Sequence, residues 1–397
     1  MYEDGIYAME PIRFTNIDYI GQIGRDWIFT EYNLSKVITQ NILYAAYHSA
    51  KTIDEIADLL GVHESLIVEE VNFLEETGFM IRKEDEKYLT TVLISDFSKE
   101  VYEERHEIFT KYAKVVCDKY IPLLLDVASA FMRSMSSQAQ SPLSTNIYVP
   151  QNDPNFLLWS LISFACSHKL TLPELKENIS KHCIKRIDGG ENIVYTSIEK
   201  EHFSDHNEAI YKTFGEETIA INIREILPLQ IWQYNTYYDS RKIDWSRALR
   251  EDLVNLFRFV KGKISYDPAN VNVFDVMFKK GYLASKDTKS TPNKGVYVNM
   301  IIANMTKDEL INLLPPMPDE FIALNKELGD EIYKISKSQY PPHTHDLFHS
   351  LCQNDISCNE MKTRILEKSL KMGILKPLSE KQKKTVNMIM FCPKEIM

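Results

Sequence analysis

The sequence predicts a mainly α, α+β chain divided into several domains. Its 397 residues exceed what a single hydrophobic core usually organises. Apolar residues recur at helical 3–4 spacing along most of the chain, and short alternating runs follow several glycines. With 44% hydrophobic and 26% charged residues, the composition is that of packed globular domains, not of a disordered or fibrous chain. The expected divisions are an N-terminal domain over 1–97, a long helical connector over 98–140, a middle α+β domain over 141–240 and a C-terminal region over 241–397.

The first informative segment is Asn33–Asp96. Val37, Ile38, Asn41, Ile42, Ala45 and Ala46 place a helix over Ser35–His48. Thr52 and Glu55 form a capping box, in which the hydroxyl takes an orphan amide and the carboxylate returns to the cap amide. Behind it Ile53, Ile56, Ala57 and Leu60 make a short buried stripe that Gly61 ends. A third helix is expected over Glu64–Thr77, with Ile67, Val71 and Leu74 inward and Gly78 as the left-handed stop. Phe79–Lys83 and Tyr88–Asp96 then alternate like the strands of a ribbon with a polar tip.

Helix, helix, tight turn, helix and ribbon in this order resemble the winged helix-turn-helix family of bacterial transcription regulators. More narrowly, Ser35–Met80 resembles the winged-helix segment of regulators associated with, or fused to, RNA polymerase sigma factors. Ala57, Gly61, Ile67, Leu74 and the Glu75–Phe79 entry to the wing carry the resemblance. It implies that His63, Glu64, Leu66, Val68, Glu69 and Asn72 form the contacting face, with Arg82, Lys83 and Lys87 on the wing. The implied partner is duplex DNA or a component of RNA polymerase and its sigma factors. The same fold also serves as a protein dock, which leaves a scaffold that never touches DNA as the alternative.

Further along, Ser98–Gln138 reads as a long helical stretch that Pro122 should kink or divide. Its apolar stripe, including Val116 and Leu123, fits either a homodimer seam or packing inside the chain. Gln138–Thr145 reads as a linker, Phe156–Ser167 as a helix, and Thr171–Glu174 as a second capping box. Cys183–Ile187 and Asn192–Glu199 are expected to be strands around Asp188-Gly189-Gly190-Glu191. The stretch Glu216–Tyr238 reads as helical with a break at Pro228. The helix–glycine–ribbon phrase then recurs at Val271–Ala303 around Gly281, and again at Met361–Phe391 around Gly373.

Charge divides the chain. The whole carries 46 basic and 56 acidic residues, a net −10, so a generally basic surface for nucleic acid is excluded. Asn33–Asp96 holds 5 basic and 12 acidic residues (5 − 12 = −7), whereas Arg241–Ala303 holds 12 and 6 (12 − 6 = +6). Glu64 and Glu69 are poor tools for reading phosphates and base edges. Lys289, Lys294, Lys381, Lys383 and Lys384 are the better candidates for phosphate anchoring.

No enzyme is expected. Only 13 glycines are present, and no glycine-rich nucleotide fingerprint, zinc-protease helix or nucleophile elbow occurs. His343, His345, His349, Cys352 and Cys358 cluster without paired-ligand spacing, so no metal or other cofactor is assigned to them. Trp159, Trp232, Tyr234, Tyr237, Tyr238 and Trp245 could line an effector pocket but fit core packing better. Met1–Phe14 lacks the marks of a signal peptide, and the most apolar run, Phe156–Cys166, falls short of the roughly 20 residues of a membrane span. Six scattered cysteines suit a reducing cytoplasm. The expected function is transcription regulation through winged-helix domains, as a dimer.

Overall fold

The computed structural model describes residues 9–22, 24, 27–136, 146–170, 179–200, 213–223, 225–235, 247–266, 271–279, 281–285, 295–353, 359–379, 382 and 387–392. The chain begins with β1 (Phe14–Gln22), α1 (Trp27–Leu34), α2 (Val37–Ala45), α3 (Ile53–Leu60) and α4 (Val68–Glu76). β2 (Met80–Arg82), β3 (Tyr88–Thr90), β4 (Leu93–Ser95), α5 (Lys99–Lys119) and α6 (Ile121–Ser136) follow. Next come β5 (Ile147–Tyr148), α7 (Pro154–His168), β6 (Ile184–Lys185), β7 (Glu191–Ile198), β8 (Thr213–Ile223) and β9 (Glu225–Asn235). Then α8 (Arg247–Val260), α9 (Val271–Lys279), β10 (Leu283–Ser285), β11 (Val296–Val298) and β12 (Ile301–Ala303) are formed. The chain ends with α10 (Lys307–Leu313), α11 (Glu320–Ser336), α12 (His345–Cys352), α13 (Asn359–Lys371) and β13 (Asn387–Phe391). The class is α+β with helix predominating, and no described helix is long and apolar enough to cross a membrane.

Two compact units interleave along the chain. The first takes Met1–Ile108, Leu172–Glu208 and Ala323–Asp355; the second takes Phe109–Thr171, Ala209–Ile322 and Ile356–Met397. In the first, β7 is the central strand. It runs antiparallel to β1 (Asp18 opposite Tyr195) and parallel to β4 (Leu93 opposite Tyr195), while β6 pairs with its first residues. Ile193, Val194, Thr196 and Ile198 of β7 are buried. The helices α2, α3 and α4 enclose Ile42, Ala46, Ile56, Ala57, Ile67, Val71, Leu74 and Phe79, all of them buried. Each large aliphatic side chain so buried contributes about 1.5–3 kcal/mol.

The second unit carries a five-stranded sheet in the order β5-β12-β13-β9-β8. Leu253, Leu256 and Val260 of α8, Phe274 and Met277 of α9, Tyr282, Ile302 and Met390 form one buried cluster. Its sheet repeats the plan of the first unit. A late strand, β13, runs parallel to β12 and antiparallel to β9, as β7 does to β4 and β1.

The agreement extends to single hydrogen bonds. Gly78 and Gly281 stop their helices at φ 76° and 74°, where glycine has no Cβ penalty. The next residues, Phe79 and Tyr282, are buried and donate back to Leu74 O (2.8 Å) and Met277 O (2.9 Å). Beyond each ribbon, Thr91 N and Asn299 N donate to the carbonyls of Phe79 (3.0 Å) and Tyr282 (2.8 Å). Their side chains in turn donate to Gly78 O (2.7 Å) and Gly281 O (3.1 Å). The ribbons keep the same register, Met80 with Thr90 and Leu283 with Val298. One difference separates the copies: residues 46–67 between α2 and α4 contain α3, but only residues 261–270 separate α8 from α9.

Several expectations hold and others need correction. The long connector is divided at Tyr120, with Pro122 in the first turn of α6, where its missing amide costs nothing. Most of its stripe is used inside the chain: Phe109, Tyr112, Val116 and Tyr120 are buried, and Cys117 packs against Ile365 and Ser369, whereas Leu123 is exposed. The Asp188–Gly190 turn forms, with Gly189 at φ 85°. Of Glu216–Tyr238, expected as helix, the described residues 216–223 and 225–235 are instead in the antiparallel pair β8–β9, from Thr213 opposite Asn235 to Ile223 opposite Glu225. The stretch is dense in β-branched and aromatic residues (Ile219, Ile221, Ile223, Ile226, Ile231, Trp232, Tyr234), which favour strands. Pro228 lies outside the Gln230–Tyr234 stretch that also pairs with β13, so a central ladder is not interrupted there. The second strand expected over Tyr88–Asp96 is two: β3 stays in the ribbon, while β4 joins β7. The third phrase also fails. Gly373 ends α13 at φ 72°, but no described strand follows directly, and β13 enters the main sheet. The linker 138–145 and the capping box at Thr171 lie outside the described residues.

Candidate docking surface on the N-terminal module

The surface is set by the turn between α3 and α4. Thr52 Oγ1 accepts from Glu55 N at 3.2 Å while Glu55 accepts from Thr52 N at 2.8 Å, so the capping box forms. Gly61 at φ 64° reverses the chain. His63 Nδ1 then accepts from Ser65 N at 3.2 Å and caps a single 3₁₀ turn, Glu64–Leu66. The continuous helix expected over Glu64–Thr77 is therefore broken at Ile67, whose buried side chain is the pivot into α4.

This geometry throws Leu66 outward. It is 70% exposed, an unusual placement for the largest apolar side chain of the turn. His63, Glu64, Glu69 and Asn72 are exposed around it, whereas Val68 is only half-exposed. Asp54, from the first turn of α3, comes up beside Glu64; hydrogen bonding and charge from Asp54 push the Glu64 carboxyl above its usual range. Nothing in the local sequence signals that pairing, because packing of α3 against the turn creates it.

Two of the module's five cations are in ion pairs. Arg82 is paired with the exposed Glu86 at 2.9 Å and lies 5.8 Å from the Tyr88 ring. Lys36 pairs with Glu70 at 3.5 Å. Lys83 is exposed and Lys87 half-buried. The tip of the β2–β3 ribbon is Glu84-Asp85-Glu86, held in a tight turn with Asp85 and Glu86 at φ 55° and 58°. Among the described residues Asp54, Asp58, Glu64, Glu69 and Glu76 have no ion-pair partner. The surface is an apolar knob in a field of carboxylates.

Among the described residues, the other sequence candidates do not form a site together. Lys289, Lys294, Lys381, Lys383 and Lys384 lie outside the described residues. His343 faces Thr90 O at 3.3 Å, His345 faces Tyr340 O at 3.0 Å, and His349 faces Asp330 at 3.4 Å. Cys352 is buried and Cys358 is outside the described residues. Of the aromatic set, Trp159 is buried and donates to Lys376 O at 3.0 Å. Tyr237, Tyr238 and Trp245 lie outside the described residues, and Trp232 and Tyr234 are described only as backbone of β9.

His343 yields a prediction. Burial, the cation of Lys83 and the neighbouring His48 and His345 lower its pKa, against the raising effect of Thr90 O; Tyr47 lies edge-on at 6.1 Å. The folded chain therefore holds it neutral, while the unfolded chain titrates near 6.5. Stability should be independent of this group above that value and fall as pH drops from it through the lower folded pKa. Hydrogen exchange over residues 323–353, corrected for its intrinsic pH dependence, should lose protection as pH falls below about 6.5, and His343→Gln should reduce that loss. An unchanged pH dependence in the variant would assign it to other groups.

The chain matches no family model, and no curated protein or solved structure is significantly similar to it.

Proposed function

We propose that this chain is a regulatory interaction protein of the transcription-regulator class, in which a winged-helix module over residues 33–96 docks a protein of the transcription machinery rather than reading DNA. The exposed face of the turn and α4 carries the reading: Leu66 stands exposed among Glu64 and Glu69 where a DNA reader would place cations and amides. Phosphates would be repelled by those carboxylates, and the wing tip adds three more. The resemblance of the helix order to sigma-associated regulators points to RNA polymerase or a sigma factor as partner.

A photo-crosslinking residue at position 66 tests this in cells. The expected product is a covalent adduct with a polymerase or sigma subunit, lost on Glu64→Lys/Glu69→Lys. Crosslinks to DNA at that position would overturn the reading. The net +6 over Arg241–Ala303 favours a second reading, duplex DNA held by the lysine-rich segments. Replacing Lys289, Lys294, Lys381, Lys383 and Lys384 with Gln would then lower DNA retention and flatten its salt dependence, by about 0.9 log unit for each phosphate no longer neutralised.

A further inference from the structure

We propose that the occupant of the N-terminal docking surface is a basic protein segment, an amphipathic helix whose Lys or Arg side chains flank an apolar socket for Leu66; this rests on the protein-docking reading above. Charge complementarity selects the occupant. Asp54 and Glu64 at the turn, and Glu69 on α4, have no ion-pair partner among the described residues, while the nearby Lys36 and Arg82 are already paired with Glu70 and Glu86. Hydrogen bonding and charge from Asp54 disfavour the ionised Glu64 carboxyl, and an incoming cation relieves that. Leu66 supplies what the carboxylates lack. A charged rim steers the encounter and fixes orientation, while an apolar anchor removed from water holds the complex. A neutral or acidic partner would have to bury or oppose these carboxylates without compensation.

The probe is a synthetic helical peptide of Leu and Lys, with a Leu/Glu peptide of the same pattern as its counterpart, titrated against the full chain by fluorescence anisotropy. The Leu/Lys peptide should bind and the Leu/Glu peptide should not. Leu66→Ser should weaken binding about tenfold, the effect of removing one buried leucine side chain. Glu64→Gln/Glu69→Gln should weaken it similarly and flatten its dependence on salt. The control Glu104→Gln/Glu107→Gln removes the same charge from exposed positions of α5 and should change affinity less than about twofold. Circular dichroism confirms that each variant is folded. Equal losses in the control and the Glu64/Glu69 variant would mean bulk attraction to an acidic protein and would overturn the proposal. So would binding indifferent to Leu66→Ser. If position 66 crosslinks to a protein that the Leu/Lys peptide cannot displace, the docking reading stands and the basic occupant falls. If position 66 yields no protein adduct and the peptide does not bind, both fall.

Discussion

Replacing Arg186 with Met should cost about 3 kcal/mol of local stability, roughly a hundredfold in hydrogen-exchange protection over residues 68–82 and 183–198. Arg186 is 8% exposed, and its guanidinium hydrogen-bonds to no carboxylate among the described residues. It is held instead by oxygens at the end of α4 and on β7. Nη1 donates to Gly78 O at 2.5 Å and Thr77 O at 3.3 Å, Nε donates to Asn192 Oδ1 at 3.2 Å, and Nη2 to Asn192 O at 3.4 Å. The guanidinium also lies 4.2 Å from the centre of the Phe79 ring. Burial pulls its pKa down to about 10, so it remains a cation at neutral pH. A cation at a helix C-terminus opposes the negative end of the dipole. Met fills the volume but leaves Thr77 O and Gly78 O without this donor. Arg186→Lys should recover only part of the loss, because one ammonium cannot reproduce a fork that reaches both segments. A loss below about 1 kcal/mol for Arg186→Met would show that water replaces the guanidinium without penalty.

Gly329→Ala should destabilise the first unit although the substitution favours an isolated helix. Gly329 sits within α11, where alanine is preferred by about 1 kcal/mol. A Cβ there would stand 2.7 Å from Cys352 O, 2.9 Å from Cys352 C and 3.0 Å from Gln353 Cα. These are backbone atoms at the end of α12 and cannot rotate aside. Overpacking typically costs about 1–3 kcal/mol, which exceeds the propensity gain. Asn325 Nδ2 donates to Gln353 O at 2.7 Å across the same approach, so the shift that admits a Cβ also strains this bond. The net loss for Gly329→Ala should be about 1 kcal/mol, and about 3 kcal/mol for Gly329→Val, read as hydrogen exchange over 323–353. A stabilised Gly329→Ala variant would mean that α12 withdraws freely.

The two copies of the helix–glycine–aromatic–ribbon phrase differ in what lies between their helices and in charge. The first contains α3, whose Asp54 and capped first turn form part of the proposed docking surface. The second has only residues 261–270 between α8 and α9 and a different charge, +6 over Arg241–Ala303 against −7 over Asn33–Asp96.

Features settled within a few residues are legible in the sequence alone. Thr52 with Glu55, Gly61, Gly78, Gly281 and Asp188–Gly190 each meet a local demand: an orphan amide to satisfy or a left-handed torsion that glycine adopts freely. The same holds for Ile67, Val71 and Leu74, whose spacing places them on one buried side. Pairing across long separations is not legible in that way. β4 leaves its ribbon for β7, about a hundred residues later, and β13 inserts between β12 and β9 instead of repeating a wing. A strand's partner depends on which edges and apolar faces the rest of the fold leaves open, and no short window contains that information. Glu216–Tyr238 reads as helix because its apolar spacing serves a helix as well as a strand, and pairing with β13 is a property of the assembled sheet. The cation beside Phe79, the carboxylate pair at Asp54 and Glu64, and the bare backbone approach at Gly329 exist only where distant segments meet. Burial and charge at such meetings are tertiary quantities, so the residues with the largest expected effects carry no mark in the sequence that distinguishes them from ordinary surface arginines or helical glycines.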